Sequence, residues 1–193
     1  MGAAGDMLTA ALLELLPDKE EFLANLNGLG IPGVTVTSEA SAKCGIQGTH
    51  ITVRVNGEEE SEDIHAHGHS HSHSHEHEHE HGHEHKHSDD GHHHHHSGMH
   101  EIEHIIEELP VSKKVKADIL AIYSLIAEAE SHAHGVPVTE IHFHEVGTLD
   151  AVADVTAVCM LMECLSPDQV VVSPVHVGSG HVKCAHGILP VPA

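Results

Sequence analysis

"TEIHFHEVGTLDAVADVTAVCMLMECL", Thr139 to Leu165, joins three local patterns in one run. Its first residues alternate as in an extended segment, Gly147 marks a turn, and the remainder predicts a helix from about Leu149 to Leu165. That helix is apolar on most sides, which predicts that it is largely buried. What covers it has to be read from the sequence on either side.

Upstream, Asp6 can cap a helix through about Leu16, closed by Pro17. "DKEEFLANLNGLG" (Asp18–Gly30) places acids in a first turn and glycine after the last apolar residue, which predicts a second helix. In "VTVTSEASAKCGIQGTHITVRV" two runs alternate apolar with polar residues around Cys44–Gly48, predicting a hairpin with strands Val34–Ala40 and Thr49–Val55. Further on, Ser97 can cap a short helix to Leu109, and Ser112, after Pro110, a longer one from Lys113 to about His132. Ile119, Ile122, Leu125 and Ile126 give the longer helix its apolar stripe, and Gly135 ends it. After Leu165, "DQVVVSPVHVGSGHVKCAHGILPVPA" predicts a strand and then a glycine-rich loop. The fold class is α+β, with α/β as the alternative: a hairpin and short strands packed with several helices. Residues 1–55 and 98–193 form the two parts of one domain, and 56–97 interrupt it.

The interruption is a tract of extreme composition. Histidine occupies every second position at His65, His67, His69, His71, His73, His75, His77, His79, His81, His83, His85 and His87, and then His92, His93, His94, His95 and His96 follow in a block. In extended chain, residues two apart lie on one side at about 6.6 Å, and neutral imidazole is a good ligand for nickel, zinc and copper. Overlapping metal sites of moderate affinity follow, with Glu76, Glu78, Glu80 and Glu84 adding oxygen ligands. No core residue or apolar periodicity runs through 56–97, so the tract reads as a disordered loop when metal-free. A solvated linker of biased composition is the plainer reading of the same residues.

Charge narrows the partners. With 8 Lys and Arg against 30 Asp and Glu, the formal charge is −22, which repels nucleic acid and anionic membrane surfaces and attracts cations. Protonating all 27 histidines would carry the chain to +5, a swing falling between about pH 5 and 8, so metal uptake is expected to be acid-sensitive. Cys44, Cys159, Cys164 and Cys184 form no CxxC pair and no secretory signal precedes them, so the chain reads as cytoplasmic. No apolar run reaches the roughly 18 residues of a membrane span. One Tyr, two Phe and no Trp leave little for base stacking.

Three constellations can carry chemistry. In "IHFHEVGTLDAVAD", His142 and His144 point the same way, Glu145 follows at the turn, and Asp150 and Asp154 lie i, i+4 near a helix N-terminus. Two imidazoles and up to three carboxylates can converge there as metal ligands or as groups for acid–base work. First-turn carboxylates are also favoured by the helix dipole alone, and both readings stand. "VGSGHVKCAHG" offers Gly178, Gly180, His181 and His186 as a loop whose N–H groups can meet a phosphate, against the commoner reading of a turn. In "GAAGDM", Asp6 at a helix start is a phosphate or metal contact or only a cap.

The "GAAGDM" opening, "IHFHEVGTLDAVADV", "PVHVGSGHVKCAHGILPVPA" and the histidine-rich insertion, in this order over essentially the whole chain, resemble the LarC nickel-insertion proteins. That resemblance implies a CTP-dependent nickel chelatase of the lyase type, assisted by Mg²⁺ or Mn²⁺. It would insert Ni²⁺ into a pyridinium bisthiocarboxylate mononucleotide and so complete the nickel-pincer cofactor of lactate racemase. The resemblance further implies a strand before the "GDM" turn and a C-terminal, CTP-associated domain. Neither is present here, so the chain is expected to be the metal-gathering N-terminal part, active only with its C-terminal partner. Within that frame, Asp150, Asp154 and Glu145 are the candidate catalytic residues. Gly178, Gly180, His181, His186 and Asp6 are the candidate nucleotide contacts, and His142, His144 and the tract histidines the metal ligands. A non-enzymatic nickel or zinc store, or a metal-delivery protein, is the alternative.

Overall fold

The computed structural model describes residues 4–59, 98–143, 146–184 and 187–191. The architecture is α+β, and its centre is the apolar helix at Leu149–Leu165. In chain order come α1 (Gly5–Leu13), α2 (Lys19–Asn27), β1 (Val34–Lys43), β2 (Ile46–Val55), β3 (Glu58–Glu59), α3 (Met99–Glu108), α4 (Lys113–His134), a 3₁₀ turn at Val138–Glu140, α5 (Leu149–Leu165), β4 (Gly180–Cys184) and β5 (Gly187–Val191). Antiparallel β1, β2 and β3 form one sheet in that order, and β4 pairs with β5.

On one side of α5, Val152 and Cys159 join Ile102 and Ile106 of α3, Val115, Ile119 and Tyr123 of α4, and Phe143. On the other side, Ala157 and Leu161 join Leu13, Phe22, Leu26, Val36 and Ile51 of α1, α2 and the sheet. Ala153 closes a smaller group with Ile31 and Leu109. Burial on several sides is what an apolar, weakly amphipathic helix requires. Each fully buried Leu or Ile in these clusters contributes about 1.5–3 kcal/mol from apolar area alone.

The ends of α2 and α4 follow their sequence signals. Asp18 accepts the N–H of Glu21 at 2.9 Å, Ser112 accepts that of Val115 at 3.1 Å, and Gly135 ends α4 in the left-handed region at φ 67°. Asn27, the last residue of α2, is an unforeseen tie: its amide donates to Val36 O and accepts from Val36 N at 2.9 and 2.8 Å, covering the open edge of β1.

Several expectations are corrected. The hairpin is longer than predicted, because Cys44 and Gly45 both take positive φ (53° and 80°) and close it as a two-residue turn. Residues 56–59 are exposed but belong to the sheet and not to the loop: Asn56 and Gly57 make a second such turn into β3, which pairs Glu58 with Val55. Leu125 is 67% exposed, and the buried line of α4 runs through Val115, Ile119, Tyr123 and Ala127. No strand forms at Val170–Val172, which lie exposed with no partner strand among the described residues. The "glycine-rich loop" contains the β4–β5 hairpin, with Cys184 opposite Gly187. Ser97 lies outside the described residues, and Gly98 holds the N-cap of α3.

Candidate functional site

α5 starts behind Thr148 and carries Asp150 and Asp154 one turn apart on one face. The N-terminus of α1 is packed against the second of them. A Cβ built on Gly5 would stand 2.6 Å from the Asp154 Cβ and 2.7 Å from its Oδ2. Only glycine permits that approach, and through it the Asp154 carboxylate accepts the backbone N–H of Asp6. A side chain of α5 thus does for α1 what Ala4, at the N-cap, has no oxygen to do. The sequence reading of Asp6 as the cap is therefore corrected. Asp6 lies inside the first turn, and its Oδ1 accepts the N–H of Met7 at 2.7 Å.

Burial, and then the charges of Asp6 and Asp150, push the Asp154 carboxyl up to about 7, against the lowering effect of the Asp6 hydrogen bond. Across from these groups, Tyr123 of α4 is fully buried, with the Phe143 ring edge-on at 5.8 Å and 64°. Burial first, then Asp150 and Asp154, raise its phenol pKa. The Tyr123 hydroxyl, Asp150 Oδ1 and Asp154 Oδ1 are all buried without a hydrogen-bond partner among the described residues. An orphaned polar atom costs about 1–3 kcal/mol, so three around one helix end mark a place that a bound group would satisfy.

The structure therefore brings together Asp6, Asp150 and Asp154 from the two ends of the chain, and adds Gly5 and Tyr123, which sequence reasoning missed. A glycine directly before Asp6, and the single tyrosine of an aromatic-poor chain, were the available signals. His142 is exposed between buried Ile141 and Phe143, so it faces away from the side on which Phe143 meets Tyr123. His144, Glu145, His186 and the tract histidines from His65 to His96 lie outside the described residues. Among the described residues no three His, Cys, Asp or Glu side chains stand together as a ready-made metal cage. Gly178 and Gly180 take positive φ (82° and 106°), and the Gly178 N–H donates to His176 Nδ1 at 3.2 Å. His181 is exposed on β4 opposite Pro190.

Two open clefts lie toward the other end of α5. One of about 390 Å³ is lined by Lys114, Asp118, Cys159, Met162 and Glu163. Cys159 there is pushed up to about 11 by burial and then by Asp118, so its thiol stays protonated and unreactive. A second, of about 410 Å³, lies between α2 and the Pro110–Val115 segment, with Met160 and Cys164. No described helix is long and apolar enough to cross a membrane.

A family model described as nickel insertion protein matches the chain over residues 1–193. The pyridinium-3,5-bisthiocarboxylic acid mononucleotide nickel insertion protein of Clostridium kluyveri is 39% identical to it over 193 residues, 100% of this chain and 43% of that relative. The protein of the same name in Lactiplantibacillus plantarum is 37% identical over 191 residues, 99% of this chain and 42% of the relative. That of Akkermansia muciniphila is 36% identical over 193 residues, covering 100% and 41%. The chain thus spans less than half the length of these curated relatives. No solved structure matches it.

Proposed function

The chain belongs to the nickel insertion protein family, and we propose that it takes part in inserting Ni²⁺ into the pyridinium bisthiocarboxylate mononucleotide named in its relatives. The match over all 193 residues carries this reading. The product is the nickel-pincer cofactor of lactate racemase, and the full reaction is a lyase-type, CTP-dependent cyclometallation in the cytoplasm. CTP with Mg²⁺ or Mn²⁺ is handled with a C-terminal part, without which this chain gathers metal but does not complete the cofactor.

Within the chain the labour divides by ligand chemistry. Imidazoles of the tract collect nickel in weak sites that exchange quickly, because neutral histidines at spacing two offer many equivalent partners. The structured site at the start of α5 receives the nucleotide. Asp150 and Asp154 act there on a metal or metal-bound phosphate together with Glu145. His142 and His144 relay nickel, and Asp6, Gly178, Gly180, His181 and His186 are nucleotide contacts.

Cofactor formation with nickel, CTP and the dithiolated nucleotide, with and without a C-terminal partner chain, tests the proposal. Nickel-dependent product only with both parts supports it. No product with both parts at saturating nickel would leave a metal store or delivery protein.

A further inference from the structure

Asp150 Oδ1, Asp154 Oδ1 and the Tyr123 hydroxyl share one condition: each is buried and none has a hydrogen-bond partner among the described residues. Two acceptors and one donor close enough to influence one another would ordinarily pair, since an unmade bond between buried groups costs free energy. Unpaired, the three keep bonding capacity that a bound group would satisfy. Tyr123, at 0% exposure, supplies this indication independently of the carboxylates.

Among the described residues the available donors are oxygens alone. No histidine or cysteine among the described residues joins them in a metal-capable group, and Cys159 stands more than a turn beyond Asp154 along α5. Nickel is drawn to imidazole nitrogen, whereas carboxylate, hydroxyl and water oxygen suit magnesium, calcium and manganese. Asp6 does not complete a protein cage, since no three acids, histidines or cysteines among the described residues stand together as one. Mg²⁺-type ions need no cage; they are commonly held by one or two carboxylates, keep waters, and take phosphate oxygens as their remaining ligands. The nine-residue helix α1 begins at Gly5, against Asp154, and directs its first N–H groups and positive dipole end to the same place.

We propose that Asp150 and Asp154 hold a hard divalent cation, Mg²⁺ or Mn²⁺, with the Tyr123 hydroxyl as a positioning group that donates to a water or phosphate oxygen of the ion's shell. The cation's open side faces the phosphate of the mononucleotide, a role that rests on the function proposed above; cation binding itself does not. The chain then keeps two metals apart by donor type: nickel as cargo on nitrogen, and a hard ion on oxygen as the anchor for phosphate.

Mn²⁺ is the probe, titrated into the full chain without nickel while free Mn²⁺ is read by electron paramagnetic resonance. The tract is identical in every variant, so differences isolate this site. Asp150→Asn and Asp154→Asn are expected to bind one Mn²⁺ fewer per chain. Tyr123→Phe is expected to keep the stoichiometry but weaken that site about tenfold, the usual cost of losing a group behind a metal ligand. Equal Mn²⁺ binding by parent and a folded Asp150→Asn chain overturns the site. Should both aspartate variants unfold, an unchanged affinity in Tyr123→Phe overturns it. A Mn²⁺ site that persists where the completed enzyme makes no cofactor overturns the nickel-insertion reading and leaves the cation site standing. Full cofactor formation by an Asp150→Asn enzyme that has lost its Mn²⁺ overturns the phosphate role alone.

Discussion

Asp154 carries opposed duties. Its carboxylate accepts the Asp6 N–H, which favours the charged form, while burial and the charges of Asp6 and Asp150 favour the neutral one and prevail, at about 7. The folded-state pKa is raised, so between about pH 4 and 7 the folded protein holds a proton that the unfolded chain has lost, and stability falls as pH rises across that window. Asp154→Asn removes the charge and keeps an oxygen for Asp6. In metal-free buffer its melting temperature is expected to exceed the parent's by a few degrees at pH 8, about 1 kcal/mol in a chain of this size, and to match it near pH 4. Calorimetry at the two pH values checks this, since the tract titrates alike in both proteins; a variant no more stable at pH 8 would contradict the balance. Gly5→Ala acts from the opposite side. Its Cβ would meet Asp154 at 2.6 Å, so a loss of about 1–3 kcal/mol from overpacking is expected in urea unfolding. Asp150 and Asp154 were legible as a pair because i, i+4 spacing is local. Their meeting with Asp6 and Tyr123 was not, since packing α1 and α4 on α5 is decided by surfaces far apart in sequence.

Element boundaries were readable where a side chain at the boundary makes the decisive bond. Asp18, Ser112 and Gly135 mark their helix ends in sequence and structure alike. The β1–β2 turn was drawn too wide because Cys44-Gly45 lacks the Asn-Gly signature, although it adopts the same positive φ angles. In α4 the stripe was misjudged at Leu125, which lies about 240° around the helix from Ile119. Burial follows the angle: Ile119 is 0% and Leu125 67% exposed. Ile119→Ala should therefore cost about 2–5 kcal/mol and Leu125→Ala no more than about 0.5 kcal/mol, read from paired denaturant curves. Equal losses would place both side chains in the core. Val170–Val172 has the β-branched composition of a strand but no described neighbour to pair with, and composition alone carries no information about neighbours.

At the scale of the whole molecule, a formal charge of −22 and 27 histidines make metal binding a matter of proton competition. Imidazole must be neutral to ligate, and with an ordinary pKa near 6.5 about nine in ten free imidazoles are neutral near pH 7.5 and few at pH 5. Several Ni²⁺ ions per chain are expected to bind at pH 7.5 and most to leave at pH 5, with protons taken up in return. Ligands of another kind separate from these on the same axis, because carboxylates remain largely ionised at pH 5 unless burial holds their protons, as it does for Asp154. Deleting residues 60–97 removes 17 of the 27 histidines, and Ile64 is the one large apolar residue in that range. The shortened chain is thus expected to lose most of its nickel capacity and to melt within a few degrees of the parent. Joined to its C-terminal part, it should insert nickel at the parental rate when nickel saturates and fall behind only when nickel is scarce. Calorimetric titration at both pH values and cofactor formation across a nickel series check the two halves. Undiminished Ni²⁺ stoichiometry at pH 5 would rule out imidazole as the principal ligand. Loss of insertion at saturating nickel would make the tract part of the reaction centre instead of its supply.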